Sequence, residues 1–402
     1  MLLLELFQVA IDRVNGAQAV RLALAGENCP APLHLLAVGK AAAAMTVGAL
    51  ECCNPQIQDG LVITKHGHLD DLQDERLRLM ESDHPVPGAA SLVAGQALVE
   101  YCQTLPPNEK LLVLISGGAS SLVEVLPSGF TLQDLDKLTR ILLGSGLDIT
   151  AINRIRSEVS QIKGGKLLRY LGGREIEVLL ISDVPGDDPA MIGSGLFHPS
   201  TDNGVVAWPE AVQPFRHKLP VENNTLVGES ILPPHRIIAN LASAMTAAAD
   251  MAKEKGKVVY PHDTFLEGDV AAVARYLSDC LRTAPKGIHI WGGETAVTLP
   301  PEPGRGGRNQ HLGLSMARLL QGNPSVCVLT VGTDGTDGPT GDAGALIDGG
   351  TIERGELAGL DVEAALMSFD SGRFLEASGD LVTTGPTGTN VMDLVIASVD
   401  PV

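Results

Sequence analysis

Short apolar runs that stop in glycine, serine, threonine or aspartate, each followed by a helical stretch, govern what this chain can fold into. Strand candidates lie at residues 33–38, 61–64, 77–81, 111–115 and 177–181, and again at 237–238, 258–259, 288–291, 326–331 and 395–397. Helical periodicity follows Thr131, where Leu132, Leu135, Leu138 and Leu142 share a face and Gly144 supplies a stop. It returns with Ile152, Ile155, Val159 and Ile162 ahead of Gly164-Gly165, and with Leu312, Met316, Leu319 and Leu320. Such alternation builds right-handed βαβ units around a mainly parallel sheet. At 402 residues the chain exceeds one core of ordinary size, so two domains are expected. The stretch 201–234, rich in proline and poor in periodicity, reads as their connection. The expected fold is therefore α/β, with domains over residues 1–230 and 231–402. Each is a mainly parallel sheet flanked by helices, Rossmann-like but without a dinucleotide fingerprint.

Charge narrows the partners. A net charge of −19 excludes a nucleic-acid partner, since backbone phosphates require a basic footprint. It leaves room for a phosphorylated small molecule held by a few local cations. The six cysteines show neither CxxC nor zinc-finger spacing, so reduced thiols are expected. The start, Met1-Leu2-Leu3-Leu4-Glu5, lacks a basic segment, and no uncharged run reaches membrane-spanning length. A cytoplasmic protein with no membrane partner is the expectation.

The glycine-rich strand ends carry the chemistry. Ligands of open α/β sheets bind where such loops converge, and glycine lets backbone N–H groups close on an anion. Seven loops fit, among them Ser116-Gly117-Gly118-Ala119-Ser120-Ser121 and Gly304-Arg305-Gly306-Gly307-Arg308-Asn309. An ordinary αβ turn explains any one of them, but not the set. Neither GxxxxGK[ST] nor GxGxxG occurs, which disfavours a P-loop fold and a typical NAD fold. Lys40 follows Gly39 at a strand end and can reach phosphate as a point charge, although a solvated lysine at a helix start reads equally well. Arg308 follows the glycines and can clamp a carboxylate or phosphate with two donors. Among the nearby carboxylates, Asp183, Glu294 and Asp334 are candidates for holding Mg²⁺, and Asp183 also for orienting an acceptor hydroxyl. His84, in the stiff loop His84-Pro85-Val86-Pro87-Gly88, reads as a hydrogen-bonded loop residue.

Together these segments resemble the class II glycerate kinases, the family with a C-terminal MOFRL domain. The resemblance runs through Val38-Gly39-Lys40-Ala41-Ala42, the loops at 84–88 and 116–121, and Ile162-Lys163-Gly164-Gly165. It continues through residues 182–186, 292–295, 306–310, 332–344 and 384–390. It implies phosphorylation of D-glycerate by ATP with Mg²⁺, usually at the 2-hydroxyl, in a cleft between two domains. It also implies Lys40 and Arg308 as the principal catalytic cations. ATP is then expected on Ser116, Gly117, Gly118, Ser120 and Ser121, and glycerate on Lys40, Arg308 and Asn309, in a monomer or homodimer. The chain departs from the family pattern at His311, at Leu196, and at Arg156-Ser157-Glu158, where a longer basic motif is usual. The alternatives are an NAD(P)H-dependent hydroxypyruvate reductase, which lacks its cofactor fingerprint here, and a non-catalytic sugar-acid or nucleotide sensor.

Overall fold

The computed structural model describes residues 2–27, 29–69, 72–147, 149–199, 207–219 and 232–400. The chain forms two compact units, and they are not divided in simple chain order. One, the inserted unit, is residues 16–238; the other, the outer unit, joins residues 1–15 to residues 239–402. The expected boundary at residues 230 and 231 lies outside the described residues.

In the inserted unit six strands form one sheet: β1 (Leu33–Val38), β2 (Ile57–Lys65), β3 (Leu77–Ser82), β4 (Lys110–Ile115), β5 (Ile176–Ile181) and β6 (His235–Ala239), ordered β3-β2-β1-β4-β5-β6. The β1–β2, β2–β3, β1–β4 and β4–β5 pairs are all parallel. β1 and β4 are apolar along almost their whole length because helices cover both faces of the sheet. The reversal of strand order falls between β1 and β4, the place where doubly wound sheets bind ligands.

The outer unit contains β7 (Val259–Asp269), β8 (Gly287–Ala296), β9 (Val326–Gly332), β10 (Gly344–Asp348), β11 (Leu381–Val382) and β12 (Asp393–Val399), ordered β11-β10-β9-β12-β8-β7. β7, β8, β9 and β11 run one way, and β10 and β12 the other. Most strands thus share a direction, as expected, but β12 slots between β8 and β9, so neighbouring pairs there are antiparallel. Its first residue, Asp393, lies between Gly293 and Gly332, at the carboxyl ends of β8 and β9. The short β10 and β11 carry too little periodicity to stand out in sequence.

Helix Leu132–Leu143 starts where expected: the Thr131 hydroxyl accepts the Asp134 N–H, and Asp134 accepts the Thr131 N–H in return. Helix Ile149–Glu158 stops before Val159 and Ile162, whose side chains remain buried beyond its end. Trp208 and Val212, in the stretch read as a mere connection, pack on these helices in a small core of their own. Cys29 and Cys53 form a disulfide, with Cα atoms 5.6 Å apart, against the expectation of reduced thiols. Among the described residues no helix is long and apolar enough to cross a membrane.

Candidate active site

The switch point of the inserted unit is built by two touching strand ends. A Cβ on Gly39 would stand 2.1 Å from Ser116 Oγ, so the chains approach to a distance only glycine permits. The Lys40 N–H donates to the Gly117 carbonyl at 2.9 Å, and the Ala41 N–H to Ser116 Oγ at 3.0 Å. Ser116 is fully buried, and Ser121 Oγ donates to the Gly118 carbonyl at 3.0 Å. Both hydroxyls therefore shape the loop from within. The N–H groups of Gly117 and Gly118 donate to no described residue.

Gly118, left-handed at φ +84°, faces the functional side chains. A Cβ there would lie 3.0 Å from His84 Cδ2 and Nε2 and 3.1 Å from Lys40 Cγ. The His84 ring and the Lys40 stem thus meet over the same glycine, a neighbour that the sequence reading did not give to Lys40. Ser120 Oγ shares a 2.6 Å hydrogen bond with Ser194 Oγ. Ser194 is itself left-handed, at φ +57° between Gly193 and Gly195, an unusual conformation for a residue with a side chain. Asp183 follows β5 into the turn Pro185–Asp187 and is half-buried.

In the outer unit Arg308 opens helix Arg308–Leu319 and is gripped by carboxylates. Its Nε and Nη2 donate to Asp393 at 2.6 and 3.0 Å, and its Nη1 lies 2.9 Å from Glu294. Burial works against its charge, but Asp393 and then Glu294 outweigh it and raise its pKa. Behind the arginine, Asp337 accepts the N–H groups of Asn309 and Gln310 at 3.0 and 2.7 Å, capping the helix. Burial pushes Asp337 up to about 7, with those two N–H bonds pulling the other way. Gly307 has no room for a side chain, since its Cβ would sit 2.3 Å from Asp337. Asp393 is held in turn by left-handed Met392 (φ +71°), whose carbonyl accepts both the N–H and the hydroxyl of Thr333.

Each sequence candidate is thereby placed. Lys40, Ser116, Gly117, Gly118, Ser120, Ser121 and Asp183 belong to the inserted unit; Glu294, Arg308, Asn309 and Asp334 belong to the outer one. Asn309 is buried, its Nδ2 3.5 Å from Asp337. Glu294 pairs with Arg308, and Asp334 accepts the N–H and hydroxyl of Thr336 in a tight turn. Among the described residues no group of three or more His, Cys, Asp or Glu side chains is arranged to hold a metal. A nucleotide-borne Mg²⁺ needs only one or two protein carboxylates and no closed cage. Asp393 escaped the sequence reading, which took His84 as a hydrogen-bonded loop residue and Asp337 as a turn former as much as a ligand. Asp393 lies far from Arg308 in the chain, and strand pairing alone reveals its place.

Residues 2–216 match the domain of unknown function DUF4147, and residues 287–393 match the MOFRL family. The D-glycerate 2-kinase of Thermotoga maritima is 35% identical over 98% of this chain and 97% of its own length. The glycerate 2-kinase of Pyrococcus horikoshii is 33% identical over 91% and 87%. A crystal structure of glycerate kinase from Thermotoga maritima superposes with a TM-score of 0.84, at 33% identity, covering 99% of both chains. These relatives mark the chain as a small-molecule kinase built of two α/β units. The chain belongs to the glycerate kinase family, the one that joins a DUF4147 module to a MOFRL module.

Proposed function

We propose that this protein transfers the γ-phosphate of ATP to the 2-hydroxyl of D-glycerate, giving 2-phosphoglycerate and ADP. The observation that carries the reading is the meeting of Lys40 and His84 over Gly118, beside two backbone N–H groups that donate to no described residue. Phosphoryl transfer depends mainly on alignment and on stabilising charge at the equatorial oxygens. Lys40 supplies a point charge there, and the N–H groups of Gly117 and Gly118 supply fixed dipoles that need no reorganisation. We also assign a catalytic role to Arg308, held by Asp393 and Glu294 in the outer unit. Asn309, the next residue, is assigned to substrate binding with it.

Asp183 orients the attacking hydroxyl and receives its proton as the new P–O bond forms and the bond to the β-phosphate oxygen breaks. When bound, Mg²⁺ neutralises phosphate charge, with Asp183, Glu294 and Asp334 as its candidate carboxylates. The protein acts in the cytoplasm, as a monomer or homodimer.

The test is a coupled assay for ADP release with D-glycerate, with the product's phosphate position read by ³¹P NMR. ADP release that disappears in excess chelator and returns with Mg²⁺ is expected. Oxidation of NAD(P)H by hydroxypyruvate without ADP release would overturn the reading.

A further inference from the structure

Helix Ile149–Glu158 brings Arg156 to a buried acid–base cluster that phosphoryl transfer, as described, leaves unused. Glu124 and Lys163, each 1% exposed, pair at 2.5 Å. The other oxygen of Glu124 accepts the Ser160 hydroxyl at 2.6 Å and the Val125 N–H at 2.9 Å. Ser160 Oγ in turn accepts the N–H of Lys163 at 3.3 Å. Lys163 therefore already matches the single negative charge of Glu124.

Arg156 is left over. Its Nε is sealed from solvent and has no hydrogen-bond partner among the described residues. The side chain is near enough to Glu124 and Lys163 to feel both charges, and burial lowers the pKa of both cations. Two cations thus face one carboxylate. An unbalanced charge in such surroundings is costly, and a guanidinium has donors only, so the site calls for an acceptor. Arg156 is half-buried and not sealed as a whole, so a ligand can reach its edge.

The cluster is wired to the loops that hold Lys40. Beyond Lys163, the Gly164 and Gly165 N–H groups donate to the carbonyls of Ser194 and Gly195 at 3.0 and 2.6 Å. Ser194 then bonds Ser120, two residues past Gly118. All of these residues belong to the inserted unit.

We propose that Arg156 is the carboxylate anchor of this protein, binding the acid group of a short 2-hydroxy acid. One unbalanced positive charge calls for a monoanion, which a carboxylate supplies and a terminal phosphate does not. The planar guanidinium also fits a carboxylate through two parallel hydrogen bonds. The anchor decides which hydroxyl of the acid is presented for reaction. This assignment rests on the kinase reading above.

The experiment has two arms. In the first, D-glycerate and D-lactate are titrated calorimetrically into wild-type protein, Arg156→Met and Arg156→Lys, with glycerol as the uncharged control. Affinity for both acids should fall about thirtyfold in Arg156→Met, as for truncating one partner of a desolvated charge pair, and recover partly in Arg156→Lys. The thermal midpoint of Arg156→Met should hold or rise, because an unbalanced buried charge has gone. In the second arm, KM for glycerate should rise while KM for ATP stays within about twofold. Equal acid binding by wild type and Arg156→Met overturns the assignment. So does a rise in the KM for ATP alone, or a lower midpoint with both KM values raised, which marks a structural role. Wild-type protein that binds the acids through Arg156 but releases no ADP sinks the kinase reading and leaves the anchor standing.

Discussion

One cation stands at a strand end of each unit, Lys40 in the inserted unit and Arg308 in the outer one. Around Lys40 the backbone is closely set: a glycine precedes it, the Gly117 carbonyl accepts its N–H, and His84 lies beside its stem over Gly118. Arg308 is positioned by side chains, with Asp393 only 8% exposed beneath it. Lys40→Ala and Arg308→Ala should each lower kcat by about 10²–10³-fold, the loss typical of one preorganised charge donor. Arg308→Ala should also lower the folding stability, by on the order of 1–3 kcal/mol, since it strands the Asp393 carboxylate. Adding Asp393→Asn should then recover part of that stability. A thermal midpoint of Arg308→Ala equal to that of wild type would show that the Asp393 pair contributes nothing to the fold.

His311 gives a second prediction at this scale. It is buried, stacks on Phe369 at 4.1 Å and bonds Ser371 Oγ at 2.9 Å. Burial lowers its pKa to about 4. Between that value and about 6.5 the unfolded chain binds the extra proton and the folded one does not. The stability that His311 contributes is therefore complete above about pH 6.5 and is lost as pH falls towards 4, a change on the order of 3 kcal/mol. Thermal midpoints followed across this range should fall less steeply for His311→Phe than for wild type. Parallel curves would remove His311 from the acid response.

Among the elements, the loop between β4 and helix Ala119–Leu122 tolerates little change at Gly118. A side chain at Gly118 meets a left-handed backbone and the His84 ring together. Gly118→Val should raise the apparent KM for ATP strongly in a folded protein, because the neighbouring N–H groups can no longer face phosphate. An ATP dependence equal to wild type would exclude this loop from nucleotide binding. β12 is the counterpart in the outer unit. Its insertion between β8 and β9 carries Asp393 to the ends of both strands, and so to Arg308.

Across the whole molecule, the N-terminal helix Leu2–Val14 belongs with residues 239–402 and not with its sequence neighbours. Leu3, Leu6, Phe7, Ala10, Ile11 and Val14 bury one face of it, and Glu5 pairs with Lys255 at 2.8 Å. Leu6→Ala should cost about 2–5 kcal/mol, the range for emptying a packed leucine site. By hydrogen exchange, the loss of protection should fall in residues 239–400 and spare residues 16–219. Loss confined to residues 16–219 would contradict that membership.

The sequence by itself determined the α/β class, most strands and the helix after Thr131, and it singled out Lys40 and Arg308 as candidates. Each is written locally, as apolar runs, glycine stops and cations beside glycines. The resemblance added the family, through strings such as Gly307-Arg308-Asn309-Gln310. Tertiary structure alone decided that β12 lies between β8 and β9, that the first helix belongs to the outer unit, and that Asp393 and Asp337 hold the Arg308 segment. It alone also revealed His84 against Gly118 and a buried Arg156 Nε with no acceptor among the described residues. These features depend on strand order and on charges brought together in a poorly solvated interior, where proximity in space outweighs distance along the chain.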